Sequence, residues 1–505
     1  LNLEELLHKY FHFPSFRQGQ KEVIQSILAG VHTMAMLPTG TGKSLCYQLP
    51  GYLLEGQVLI VSPLLSLMQD QVEQMKMNGE KRVTAINSFL TGAERRRVLQ
   101  HLTQYKFIFI SPEMLTNDSM LTLFKKLKPA LFVIDEAHCI SQWGYDFRPD
   151  YLKLGEIRAH LGEPLTLALT ATATKEVVRD IITSLKLKSC RQHLYSVDRP
   201  NIALAIERVE DHRDKLKILY RYVSQLDGPG IVYFSSKKMA EQAAHFLLGN
   251  GVKRVMAYHG GMDQESRILI QQQFLYGQLN IICATSAFGM GINKDNIRFV
   301  IHYHMPQQME SYLQEIGRSG RDGKPSIAVL LYAPGDEQIA YRLAEAEIPA
   351  NEQLDLLAAA LTETNIALEQ MDDEEWMRIC GFTDIQWRIV SEHLLKNADR
   401  KAKWNTIVEE LKRDLDQRRK LKQRKIAFMT DWCRTDQCRR EPILRYFDEE
   451  QEPVKPKNCC DVCGIDQINY KRGQTEKREG TEYNWRQQLA NLLLKESVNN
   501  EEKLF

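Results

Sequence analysis

A short glycine loop and a pair of acids about ninety residues further on limit what this chain can become more than anything else in it. The loop is Leu37-Pro38-Thr39-Gly40-Thr41-Gly42-Lys43-Ser44, between the apolar run Thr33–Leu37 and a helical pattern that starts near Lys43. Its glycines let the backbone curl so that N–H groups face an anion, and the helix behind it adds a positive end. Thr39, Gly40, Thr41 and Gly42 form such a cradle, Lys43 supplies charge for the β- and γ-phosphates of a nucleotide, and the Ser44 hydroxyl is a Mg²⁺ ligand. The string departs from G-x-x-x-x-G-K-[ST] because Leu37 stands at the first glycine. The acids are Asp135 and Glu136, which close the apolar run Leu131–Ile134. Such a run suits a strand buried on both faces, and its carboxyl end opens into the crevice where α/β sheets bind ligands. There Asp135 would complete the Mg²⁺ shell. Glu136 would deprotonate an attacking water, so the pair implies hydrolysis rather than transfer.

Other properties narrow the class. The 505 residues leave room for three or so domains. A hydrophobic content of 43% with 26% charged residues fits a globular protein, and no apolar run reaches the roughly eighteen residues of a membrane span. The acidic, amphipathic start Leu1-Asn2-Leu3-Glu4-Glu5 is unlike a secretory signal, so the expected location is cytoplasmic. A net charge of +1 argues against nucleic-acid binding through bulk charge but leaves room for a local groove. Five of the ten cysteines fall within Cys433–Cys463, which in a reducing compartment points to a metal rather than disulfides.

Strand-like runs alternate with helical patterns at Thr33–Leu37, Val58–Ser62, Phe107–Ser111, Leu131–Asp135 and Leu165–Thr170. After the polar segment Tyr195–Asn201 the alternation restarts at Ile231–Phe234, Val255–Tyr258, Asn280–Ala284, Arg298–His302 and Ile327–Tyr332. This predicts an α/β protein with two tandem parallel-sheet domains, 1–200 and 201–340, of which only the first carries a phosphate loop. From Asp336 the pattern turns helical and charged, giving a helical insertion over 341–430, a cysteine-bearing module over 431–470 and a polar tail over 471–505, expected to be partly disordered. Gly381-Phe382-Thr383-Asp384-Ile385-Gln386 reads as a helix stop and a capped restart, either a helical hairpin or a helix-turn-helix. The basic run Lys412–Lys425 reads as a solvated helix face or as a phosphate-contacting one.

In the second domain Gln314-Glu315-Ile316-Gly317-Arg318-Ser319-Gly320-Arg321-Asp322-Gly323 lies between the last two strand-like runs. Two arginines set among glycines suit insertion toward a phosphate, so that domain closure would complete the site. Ala284–Ile292 is a small-residue loop that would admit a backbone or a nucleotide. Cys460-Asp461-Val462-Cys463 is a zinc half-site, because one tight turn presents two thiolates.

Taken in order, these segments resemble superfamily 2 helicases and, within them, the RecQ family of DNA helicases. The resemblance runs through Phe16–Gln20, Met36–Ser44, Ser62–Met68, Asp135–Gly144, Leu169–Ala173, Ala287–Lys294 and Gln314–Gly323, and resumes at Cys438–Cys463. The shortened C-terminal region is similar to the RecS-type members. The resemblance implies RecA-like domains and a set of roles. Gln20 would read adenine with Arg17 nearby, and His138 and Gln314 would link the nucleotide to DNA-binding loops. Arg318 and Arg321 would meet the γ-phosphate, Arg321 first. Trp143, Phe147, Arg148 and Tyr151 would form the family's aromatic-rich loop; such side chains stack on unpaired bases. Cys438 and Cys459 would join Cys460 and Cys463 on Zn²⁺. The family's usual third cysteine is Lys457 here, and Cys433 is the rival fourth ligand.

The expectation is therefore an ATP-, Mg²⁺- and Zn²⁺-dependent 3′→5′ DNA helicase or translocase of repair and recombination, monomeric and nucleoid-associated. Its partners would be single-stranded and branched DNA, with single-stranded-DNA-binding or recombination proteins beside them. Too little chain follows Cys463 for the family's winged helix, so movement on a single strand is expected more firmly than vigorous unwinding. The rivals are an RNA helicase, a translocase or remodeller that unwinds weakly, a non-enzymatic scaffold, and a P-loop transporter or kinase.

Overall fold

The computed structural model describes residues 2–471 apart from 64, 88–89, 142–147, 290–293, 365–372, 398–402 and 451–454. Two parallel sheets form its frame, as expected of tandem RecA-like domains. The first contains β1 (Thr33–Met36), β2 (Val58–Val61), β3 (Val83–Ile86), β4 (Phe107–Ile110), β5 (Leu131–Ile134), β6 (Thr166–Thr170) and β7 (Arg191–Leu194), in the order β3-β4-β2-β5-β6-β1-β7. The second contains β8 (Ile202–Arg208), β9 (Gly230–Tyr233), β10 (Val255–Tyr258), β11 (Ile281–Ala284), β12 (Phe299–His302) and β13 (Ser326–Tyr332), in the order β10-β11-β9-β12-β13-β8.

The local sequence explains the strands. β1, β2, β4 and β5 are buried along their whole length, as near-continuous apolar runs must be when helices cover both faces of a parallel sheet. The edge strand β7, Arg191-Gln192-His193-Leu194, is largely exposed and polar, and only its pairing with β1 makes it a strand. β1 pairs with β6 so that Met36 lies beside Thr170, which brings the loop after β1 next to the segments that end β5 and β6.

From Asp336 the chain is helical. The helices Asn351–Thr364, Asp373–Cys380, Asp384–Lys396 and the 31-residue Trp404–Arg434 share a core of Leu354, Leu357, Trp376, Trp387, Val390 and Leu411. Gly381 takes φ 69°, ending one helix, and Thr383 and Gln386 form a reciprocal capping box that begins the next. Two of these helices are thus joined by a three-residue turn. The basic run lies on the long helix. Lys412 pairs with Asp355 and Glu409, Arg419 with Asp416, Lys422 with Glu347, and Lys425 with the buried Glu310. Those cations are engaged by this chain's own carboxylates, while Lys420 and Arg424 are exposed. Among the described residues no helix is long and apolar enough to cross a membrane.

Candidate active site and metal centre

The loop after β1 turns through Gly40 (φ 92°) and Gly42 (φ 76°), conformations that only glycine adopts at no steric cost, and feeds Ser44 into the N-cap of the helix Leu45–Leu53. The Gln20 amide donates to the carbonyls of Thr41 at 2.6 Å and Gly42 at 3.0 Å, and Arg17 donates to Gly40 at 2.5 Å. In this state Gln20 is buried and spent on the loop backbone.

A cleft of about 200 Å³ opens over the loop. Thr39, Gly40, Lys43, Ser44, Asp135 and Glu136 line it from the first half, and Gln314, Arg318 and Arg321 from the second. β5 delivers Asp135, and Glu136 then takes a left-handed backbone (φ 48°, ψ 48°), unusual for a non-glycine residue and common where function over-determines conformation. Burial and the neighbouring Glu136 push the Asp135 carboxyl up to about 7, with Lys43 opposing. Burial acts on Glu136 in the same sense, but Lys43, His138 and Arg318 outweigh it and hold that carboxyl below its usual range. Glu136 Oε2 is buried with no hydrogen-bond partner among the described residues, 3.4 Å from His138 Nδ1. His138 in turn lies 2.9 Å from the Thr170 hydroxyl at the end of β6.

Arg318, 4% exposed, donates to the Gly289 carbonyl. Burial and Arg318 together push Arg321 down to about 10. A cluster of cations facing two carboxylates and a hydroxyl, with one Glu136 oxygen lacking a hydrogen-bond partner among the described residues, suits an anion with a hard cation. Ser44 and Asp135 offer the oxygen donors Mg²⁺ prefers. The two halves meet closely: a Cβ on Gly317 would stand 2.7 Å from Thr39 Cβ.

A second cleft, of about 520 Å³, lies at the carboxyl ends of β9, β11 and β12, lined by Ser235, Thr285, Ser286, His304, Gln308, Arg148 and Lys422 among others. Gln314 and Arg318 line both clefts. Of the aromatic-rich loop, Trp143 and Phe147 lie outside the described residues. Arg148 donates to the Pro63 carbonyl at 2.5 Å. Tyr151 departs from the expectation that it faces a strand: it is fully buried, and its hydroxyl donates to the Asp135 carbonyl at 3.1 Å. Its aromatic mass is needed in the core under β5, so it props the acidic turn from behind.

Four cysteines come together beside the second sheet. One thiol sulfur from each of Cys438, Cys459, Cys460 and Cys463 lies within 4.8 Å of the others. Cys433 is not among the four; it is buried on the long helix and packs in the same apolar core that the knuckle cysteines border. Backbone N–H groups of Arg439 and Cys463 approach the Cys460 sulfur at 3.5 and 3.4 Å. Burial would raise the Cys438 thiol, but the N–H groups of Arg440 and Glu441 hold it below its ordinary value. Four sulfurs with N–H donors around them fit tetrahedral Zn²⁺, despite the adjacency of Cys459 and Cys460. The knuckle extends the second sheet at its β8 edge: Leu204 donates to Cys459 at 3.2 Å and accepts from Asp461 at 2.9 Å.

Sequence reasoning treated Asp198-Arg199-Pro200 only as a connector. The structure puts the Arg199 guanidinium between the phosphate loop and the Gly317–Gly320 turn. Its partners lie more than a hundred residues away in either direction, and no local pattern signals them.

Comparison with known proteins gives three family matches in order: DEAD/DEAH box helicase over residues 17–181, helicase conserved C-terminal domain over 214–323, and RecQ zinc-binding over 398–464. A "Probable ATP-dependent DNA helicase RecS" of Bacillus subtilis is 45% identical over 500 residues, covering 98% of this chain and 99% of that protein. "ATP-dependent DNA helicase RecQ" of Haemophilus influenzae is 42% identical over 333 residues, covering 66% of this chain and 53% of that longer protein. Among solved structures, the Mycobacterium smegmatis helicase Lhr bound to single-stranded DNA and AMP-PNP has a TM-score of 0.55 at 21% identity, covering 77% of this chain and 57% of that one. At that identity it speaks for the fold alone.

Proposed function

Because the chain belongs to the RecQ family of ATP-dependent DNA helicases and is most like its short RecS-type members, we propose that it is a 3′→5′ motor on single-stranded DNA in repair and recombination. In this reading it fires ATP hydrolysis when its two sheet-bearing halves close on one nucleotide. The observation that carries this reading is the shared cleft, with loop and carboxylates from one half and arginines from the other. Lys43 and the loop N–H groups bind the β- and γ-phosphates. Glu136, whose Oε2 has no hydrogen-bond partner among the described residues, takes the proton of the attacking water, and Lys43, with His138 and Arg318, holds that carboxylate ionised. Arg318 and Arg321 neutralise charge on the transferring phosphoryl, Arg321 making the direct approach. Mg²⁺, held by Ser44 and Asp135, supplies charge neutralisation at the phosphate oxygens when bound. Gln314 and Arg318 line both clefts, which supports a role in carrying closure to a strand in the larger one. The four-cysteine knuckle holds structural Zn²⁺. The working division is 1–200 and 201–340 for the motor halves, 341–430 for the helical insertion and 431–470 for the zinc module.

The test is ATP hydrolysis with and without single-stranded DNA, with Glu136→Gln as control. Strong DNA stimulation that the variant abolishes is expected. Hydrolysis indifferent to DNA, or raised only by RNA, would overturn the substrate assignment, and displacement of 3′- and 5′-tailed duplexes reads the polarity.

A further inference from the structure

Arg199 lies on the connector between β7 and β8, outside every segment used above. Its Nη1 donates to the Thr39 carbonyl at 2.5 Å and the Gly317 carbonyl at 3.3 Å; its Nη2 donates to Ser319 at 3.3 Å and Gly320 at 2.7 Å. The first carbonyl belongs to the phosphate loop. The other three belong to the turn that carries Arg318 and Arg321. The packing is tight, since a Cβ on Gly40 would stand 3.0 Å from Arg199 Nη1 and 2.8 Å from Arg321 Cγ. Burial and the charge of Arg17 both work against this cation and push it below its ordinary value. It is held there by four carbonyl dipoles that only a planar fork with donors on several sides can serve together.

The connector is fixed from behind. Arg440, two residues beyond Cys438 and 4% exposed, donates to the Asp198 carboxylate, to the Arg199 carbonyl at 3.4 Å and to the Ile202 carbonyl. Asp198 Oδ1 accepts the Arg199 N–H at 2.8 Å. Glu449 accepts the Val197 N–H at 2.9 Å and the Ser196 hydroxyl at 2.5 Å. Side chains that flank the zinc knuckle thus hold the connector on both sides of Arg199.

We propose that Arg199 is a positioning residue that sets the phosphate loop in register with the Arg318–Arg321 turn, and that Arg440 fixes the connector for this purpose. This rests on the nucleotide-site reading above. A connector between two moving bodies is where one side chain can hold both. When nucleotide draws loop and turn together, Arg199 keeps the turn from sliding, so that Arg321 arrives at the γ-phosphate. Its loss therefore slows turnover rather than weakening nucleotide binding.

The experiment uses the full chain with zinc. It measures DNA-stimulated turnover, affinity for a fluorescent ADP derivative, zinc content and melting temperature for Arg199→Ala, Arg199→Lys, Arg321→Ala and the Arg199→Ala/Arg321→Ala pair. Arg199→Ala should lower kcat by about tenfold or more while KM and ADP affinity stay within about threefold. Arg199→Lys should lose as much despite keeping the charge. The double variant should be no slower than Arg321→Ala, because nothing is then left to position. Unchanged kcat, an equal loss of nucleotide affinity, or losses that multiply in the double variant would overturn the proposal. If Arg199→Ala melts early or loses zinc, Arg199→Lys decides by the same criteria. Lys43→Ala with full turnover would instead fault the nucleotide-site reading, whatever Arg199 does.

Discussion

The two halves share one architecture and differ in where their reactive side chains sit. The first half commits the carboxyl ends of β1 and β5 to a glycine loop and two buried acids, all within reach of one small cleft. The second half leaves the ends of β9, β11 and β12 to a cleft more than twice as large, lined by hydroxyl, amide and imidazole groups, and sends its arginines across to the first. A parallel sheet offers the same crevice both times. What distinguishes the halves is the chemistry of the loops, and so a nucleotide site can be built from one complete half and one turn of the other.

On that division of labour, variants of the two halves should fail differently. Lys43→Ala should lose both nucleotide binding and turnover, the latter by about 10²–10³-fold, as for other electrostatic groups at a reacting centre. Arg321→Ala should lose turnover on the order of 10³-fold while still binding ADP. Equal binding losses in steady-state and fluorescence titrations would erase the distinction.

The zinc module, which leans on the second half, gives the next largest effect. Cys438→Ser should drop zinc from one per chain to none and melt earlier, whereas Cys433→Ser should keep its zinc. Metal release on thiol titration reads both, and zinc loss in Cys433→Ser would break the four-cysteine assignment.

A smaller effect follows from the buried acids of the first half. The Asp135 carboxyl sits near 7 in the folded chain, against about 4 when unfolded. The native state therefore binds the extra proton between about pH 4 and 7, and this group's contribution to stability falls as pH rises through that window. Binding Mg²⁺ with nucleotide should expel the proton, roughly half of one per chain near pH 7. Calorimetry in two buffers measures the release, and Asp135→Asn should remove it.

The smallest effect separates two aromatic residues. Tyr151→Phe should cost about 1 kcal/mol of stability through the lost hydrogen bond to Asp135 and leave DNA stimulation intact. Trp143→Ala should weaken DNA stimulation more than basal turnover. Equal losses of both activities in Trp143→Ala would mean that it is core like Tyr151.

Ten strands were legible as apolar runs; nine of them are buried along their whole length, which demands mostly apolar residues, and β10 is apolar although its middle is partly exposed. Three were not. β3, Val83-Thr84-Ala85-Ile86, has a threonine and an alanine at its centre and no strong apolar run, β7 is polar at an exposed edge, and β8 starts directly after the polar connector and ends on Glu207 and Arg208. The loop, the acids and the cysteine knuckle could be found because their chemistry is local in sequence. Arg199 could not, since its partners are set by how two sheets meet, and the burial of Tyr151 could not, since a tyrosine three residues after Arg148 in an aromatic-rich segment reads as part of a stacking surface.

The pairing of Leu204 with Cys460 bears on how such a chain is made. β8 is the first strand of its sheet to leave the ribosome, yet the segment that covers its outer edge is synthesised roughly 250 residues later. At usual elongation rates that leaves an open strand edge on the nascent chain for on the order of ten to fifty seconds. Zinc capture at the knuckle would then close this edge late, and a chain starved of zinc is expected to expose it longer, as an aggregation-prone intermediate rather than an idle motor.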